Sequence, residues 1–216
     1  MNVTINRGIQ GIEILWDITK VARERMRMMK ICILSGNPKK DGLCQSVIDA
    51  AKLGAIEGGA EVDEIRLCDY KLARCQVCGD GWGPCRSENY CTYGSDGFDE
   101  VKIRIQSSDA IILASPVYWG ETSEAFKSFI DRLRRCEFDQ TGVLRNKQVL
   151  IIATPGGTGN GLLSCFEQMD RFCRHTGAVI FDYIGVNRWN SDYKRSATKA
   201  AVYAMASGRK NGDTVK

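Results

Sequence analysis

The 216-residue sequence predicts a three-layer α/β sandwich, a five-stranded parallel sheet with helices on both faces. Three observations predict it. Three short runs are apolar throughout instead of alternating, as strands covered on both faces are. Segments of helical period lie between strands, and the clearest stop at glycine. Each apolar run ends in a small, polar or glycine-rich turn.

Ile31-Cys32-Ile33-Leu34 is the first buried strand, ending at Ser35-Gly36-Asn37-Pro38. A helix is expected from Leu43 to Glu57, stopped by Gly58-Gly59. Val62 to Leu67 carries Asp63, Glu64 and Arg66 among apolar residues, the mark of an edge strand whose charges block unwanted pairing. Ala110 to Ala114 and Val149 to Ala153 are the other fully buried strands. Phe126, Phe129, Ile130 and Leu133 form the apolar face of a helix after the one, and Leu162, Phe166, Met169 and Cys173 the face of a helix after the other. Ala178 to Val186 is the fifth strand, and Lys194 to Ala206 the closing helix.

Residues 1–29 stand outside this alternation. Ile14, Ile18, Val21 and Met28 fit one side of a helix, so the segment reads either as an arm packing on a neighbouring subunit or as an upstream start with little role. The domain proper is expected over 30–209, with 210–216 a flexible polar tail.

Composition narrows the function. Thirty basic residues are interspersed with twenty-six acidic ones for a net charge of +4, which gives no nucleic-acid footprint. The densest basic group, Arg132, Arg134 and Arg135, reads as the solvated face of a helix. No apolar stretch approaches the roughly 20 residues of a membrane span, and the run Ile12 to Trp16, broken by Glu13, is no signal peptide. A cytoplasmic, reducing location is expected. Ten cysteines there point to metal or redox chemistry instead of a disulfide framework. His175, the one histidine, reads as a cation closing a helix two residues before Gly177, not as a catalytic base.

The turns after the three buried strands should share one sheet edge, where ligands of such folds bind. The first, Ser35 to Ser46, is polar and opens a helix N-terminus, which suits a phosphate. It is no Walker loop, because Leu43 and Cys44 follow Gly42. In the second, Ser115 to Gly120, Tyr118 and Trp119 sit between Pro116 and Gly120 and should point outward. The third, Thr154 to Gly161, places four glycines in six residues, as close backbone approach to a flat ligand requires.

Together these loops resemble the NAD(P)H-dependent FMN reductase and iron-sulfur flavoprotein family of the flavodoxin-like superfamily, over about Lys30 to Val186. The first loop keeps Ser35, Gly36, Pro38 and Gly42 of the family pattern and departs at Asn37, Leu43 and Cys44. The second matches Ser-Pro-Val-Tyr and runs on into Phe126-Lys127-Ser128-Phe129-Ile130-Asp131-Arg132. The third resembles Thr-Gly-Gly-Gly, with Pro155 replacing one glycine. The resemblance implies strand order 2-1-3-4-5 and FMN as cofactor. It implies a phosphate site at Ser35, Asn37, Lys39, Cys44, Gln45 and Ser46, with the backbone amides, Gln45 and Ser46 compensating for the departures. Pro116, Val117, Tyr118, Trp119 and Gly120 would wrap the ribityl chain and flavin edge, and Thr154, Pro155, Gly156, Gly157 and Gly159 would lie beside the ring. Hydride from NADH or NADPH would reduce the flavin, which passes electrons to a small-molecule or redox-protein acceptor. The flavin carries the chemistry, so no acid-base residue is assigned. An electron carrier without direct nicotinamide use is the alternative. A homodimer or homotetramer is expected.

Cys75, Cys78, Cys85 and Cys91 give C-x2-C-x6-C-x5-C. The segment resembles the cluster loop of iron-sulfur flavoproteins, with its middle gap widened by Gly79 to Pro84. Three readings stay open: a 4Fe-4S cluster, a zinc site, or a metal-free lid. Packing of Trp82 against the sheet would hold the loop extended and prevent a cluster. The other six cysteines read mostly as small core residues.

Overall fold

The computed structural model describes residues 28–137 and 142–208. The expectations for the 1–29 arm and the 210–216 tail therefore lie outside the described residues, apart from Met28 and Met29. Strands β1 (Lys30–Ser35), β2 (Glu61–Arg66), β3 (Ala110–Pro116), β4 (Gln148–Thr154) and β5 (Val179–Gly185) form one sheet of order β2-β1-β3-β4-β5. Every pairing is parallel. Fold and strand order are those expected from the sequence.

The uniform apolarity of β1, β3 and β4 follows from the layers on each side. Cys32, Leu34, Ile111, Leu113, Val149 and Ile151 face one core. Its cover is α2 (Phe98–Gln106), α3 (Glu124–Cys136) and α4 (Leu162–His175). Ile31, Ile33, Ile112, Leu150 and Ile152, the alternate residues, face the other core under α1 (Gly42–Glu57) and α5 (Ser191–Ala206). Strand side chains alternate between faces, so both sets must be apolar. Helices α1 and α5 cross closely, because a Cβ on Gly54 would lie 2.2 Å from the Lys199 carbonyl oxygen.

Strand β2 is the expected edge, and its charges are engaged. Asp63 accepts two hydrogen bonds from Arg104 of α2, and Glu64 pairs with Lys52 at 2.7 Å. The hydrogen bonds from Arg104 hold the Asp63 carboxyl below the usual carboxylate value. The folded carboxyl thus binds its proton less tightly than the unfolded one. The pair stabilises the fold above the ordinary value of roughly 3.9 and loses that contribution as pH falls through the lower folded value. Asp63→Asn should weaken the fold at neutral pH and flatten its acid sensitivity in circular-dichroism titrations. An unchanged acid transition would contradict this.

Two sequence expectations are corrected. The face of Arg132, Arg134 and Arg135 is not simply solvated: Arg132 is 2% exposed, and Arg135 lies over the Trp82 ring, 4.5 Å from its centroid. His175 does end α4, but burial and then Arg134 push its pKa below the usual histidine value. It is therefore neutral at pH 7, and Arg174 in the same turn supplies the cation at the helix end.

Candidate functional site

The turns after β1, β3 and β4 meet at the carboxyl edge of the sheet, and hydrogen bonds knit them together. Ser123, the N-cap of α3, donates from Oγ to the Gly36 carbonyl at 2.6 Å and accepts from the Phe126 amide. Its own amide donates to Ser115 Oγ at 3.0 Å. Gly36 must be glycine, since a Cβ would lie 2.4 Å from Ser123 Oγ. The Val117 amide donates to the Thr154 carbonyl, joining the second turn to the third.

The first turn is an anion-binding shape. Asn37 is buried and closes an Asx turn: the Lys39 amide donates to its Oδ1, and its Nδ2 donates to the Lys39 carbonyl at 2.7 Å. Its amide donates to Ser35 Oγ. Helix α1 opens directly after, with Asp41 at the N-cap making no side-chain capping bond and no acidic residue in the first turn. The same is true of α4, behind the third turn, whereas α2, α3 and α5 each carry an acidic residue there. Of the three helices that open at these turns, α1 and α4 thus lack a carboxylate in the first turn, while α3 carries Glu124 there. Cys44 is buried, and burial pushes its thiol up to about 11, so it stays protonated and adds no negative charge.

Two side chains expected at the phosphate are already engaged. Gln45 donates to Asp49 and accepts from Arg66, and Ser46 Oγ donates to the Leu43 carbonyl. Arg66, at the end of β2, is the polar group that the sequence reading missed. Its guanidinium reaches the carbonyls of Asn37 and Lys39.

The second turn is a tight one, with Tyr118 and Glu121 exchanging both backbone hydrogen bonds at 2.9 Å. Trp119 and Gly120 both have positive φ, the signature of a type I′ turn. The expected outward aim of the aromatics holds, for Tyr118 is 47% exposed and Trp119 fully so. Gly120 and Gly161 touch, and Ser164 Oγ donates to the Gly120 carbonyl at 2.7 Å, seating the aromatic turn on the start of α4. In the third turn, a Cβ on Gly156 or Gly157 would meet nothing within 4 Å. No protein neighbour demands a glycine at either position, and the open space leaves room for a ligand to approach the backbone. Gly157 sits at φ +32, whereas Gly156 has no positive φ. Gly156→Val should therefore fold as the parent does while losing flavin affinity. Retained affinity in a flavin titration would remove the third turn from the site.

The four loop cysteines line one cavity with Arg132, Arg135 and a fifth thiol, Cys136. The loop is not extended. Trp82 packs against the guanidinia of Arg86 and Arg135. Arg132 bridges both ends of the loop: it donates to Ala73 O, Tyr93 O and Asp96 Oδ2, and its Nη2 lies 3.4 Å from Cys91 Sγ. Among the described residues no three metal-ligating side chains stand in metal-holding geometry. A cluster would therefore have to draw the thiols together. Cys75 also lines a second cleft shared with Tyr118, Glu121, Lys127 and Asp131, which joins the cysteine loop to the aromatic turn.

This arrangement has relatives. The family model for NADPH-dependent FMN reductase matches residues 29–192. The chain belongs to that family. Within reach of the family, an iron-sulfur flavoprotein of Methanosarcina thermophila is 30% identical over 75% of this chain and 83% of its own length. Another, from Methanocaldococcus jannaschii, is 32% identical over 67% of this chain and 71% of its own. An FMN-dependent NADH-azoreductase of Bacillus anthracis shares the fold at TM-score 0.63, with 14% identity over 83% of this chain and 98% of that one. Family membership agrees with the resemblance read from the three turns. No helix among the described residues is long and apolar enough to cross a membrane.

Proposed function

We propose that the chain is an FMN-dependent oxidoreductase that takes hydride from NADH or NADPH and passes electrons to a small-molecule or redox-protein acceptor in the cytoplasm. The observation that carries this reading is the meeting of two helix N-termini with acid-free first turns, under glycines whose missing side chains leave open space. The donor groups fit the cofactor: α1 offers free amides and a positive dipole end to a phosphate, Tyr118 and Trp119 offer aromatic surface, and Gly156 and Gly157 allow backbone approach. Bound FMN would supply the redox chemistry, exchanging two electrons as hydride or one at a time. The chain's own part is to hold the phosphate, orient the ring and keep water from it.

The four thiols on one cavity and the iron-sulfur flavoprotein relatives favour a second reading, an electron carrier without direct nicotinamide use. Cys75, Cys78, Cys85 and Cys91 would hold a 4Fe-4S cluster as thiolates, and the cluster would supply one-electron chemistry. Anaerobic addition of NADH or NADPH to FMN-loaded protein separates the two. Bleaching of the flavin supports the reductase, and bleaching only by a reduced ferredoxin-type donor supports the carrier. Iron and sulfide analysis of anaerobically purified Cys85→Ala against the parent tests the cluster itself. Trp119, Leu163 and Trp189 are exposed at or near the same sheet edge, which supports assembly with further copies of the chain. Light scattering would show a dimer or tetramer, and a monomer would oppose it.

A further inference from the structure

We infer that Arg66 is a positioning residue that makes this site select FMN over unphosphorylated flavin. The inference rests on the phosphate placement proposed above and adds the group that enforces it. Arg66 ends the edge strand β2, and its side chain is only 15% exposed. Its guanidinium crosses to the first turn, where Nη2 donates to the carbonyls of Asn37 and Lys39, and Nη1 to Lys39 O and to Gln45 Oε1 at 3.1 Å.

These contacts do two things. Backbone carbonyls of a phosphate loop repel an anion, and here two of them are turned onto a cation instead. Gln45, whose amide oxygen would also oppose a phosphate, is tied to the same guanidinium. The result is a turn with its acceptors neutralised, leading into the α1 N-terminus, where Asp41 makes no side-chain capping bond. The second effect is charge. Arg66 is ion-paired with Asp69, whose Oδ2 lies 3.4 Å from Nε and which is 56% exposed. An exposed acid screens a cation weakly, so positive potential persists at the turn. A guanidinium suits this work better than an ammonium, because its fixed fork reaches several acceptors at once.

The test titrates the apo-protein with FMN and with riboflavin, which differ only in the phosphate, by flavin fluorescence. Arg66→Leu should lose FMN affinity by about 10- to 100-fold while riboflavin affinity is unchanged, and Arg66→Lys should keep part of the difference. Asp69→Asn removes the counter-charge without touching the turn, so it should tighten FMN by about 2- to 5-fold and leave riboflavin alone. Its result stands even if Arg66→Leu folds poorly. Equal losses for both flavins in Arg66→Leu would mark Arg66 as merely structural and overturn the inference, as would unchanged FMN binding in both variants. A parent protein that binds FMN no better than riboflavin would overturn the phosphate placement as well.

Discussion

Ser46→Asp should lose FMN affinity by at least ~100-fold, since a unit charge about 5 Å from another at an effective dielectric of 20 contributes about 3 kcal/mol of repulsion. The variant is chosen so that folding survives. Ser46 is half-buried near the start of α1, its hydroxyl makes only a local bond to the Leu43 carbonyl, and a carboxylate near that end favours the helix. Ser46→Asn gives the same shape without charge and should bind FMN close to normally. Flavin titrations of the two side by side separate electrostatics from packing. Equal affinities in the two variants would move the phosphate away from this turn.

Arg132→Met should destabilise the protein by about 3–5 kcal/mol, the range for removing one partner of a buried ion pair. The reason is local. Arg132 is almost wholly buried against Asp96 at 2.6 Å, its guanidinium lies over the Phe98 ring, and two loop carbonyls depend on it. Without it, Asp96 is left without its partner cation, and the ends of the cysteine loop at Ala73 and Tyr93 lose their common anchor. Chemical denaturation should show the loss, and limited proteolysis should cut first between residues 75 and 91. A variant with parental stability and an uncut loop would show that the loop is held by other means.

The parts of this molecule that the sequence displays openly are those set by burial on both faces of a strand. β1, β3 and β4 read directly because Ile, Leu, Val and Ala must face helices on either side. The three turns read through their glycines, proline and aromatics, whose backbone demands are local. Helix α2 did not reveal itself. Its nine residues place Val101, Ile103 and Ile105 in strand-like alternation, and Ile103 proves to be 64% exposed. Long cationic side chains hid most. Arg66 sits in an edge strand, where a charge already has a reason, and its reach into the first turn is a tertiary fact. Arg132 and Arg135 follow one another at a spacing typical of a wet helix face, and only the folded cysteine loop, with Trp82 set against Arg135, explains them. The engagement of Gln45 by Asp49 and Arg66 was likewise invisible without the crossing of β2 beside α1.

On the proposed function, the carboxyl edge of this sheet holds FMN. The most direct measurement is the visible absorption spectrum of the anaerobically purified chain, taken before and after incubation with FMN and removal of excess by gel filtration. Flavin bands should stay with the protein in stoichiometric amount and be released as FMN on denaturation. A folded protein that remains colourless after FMN incubation would contradict it.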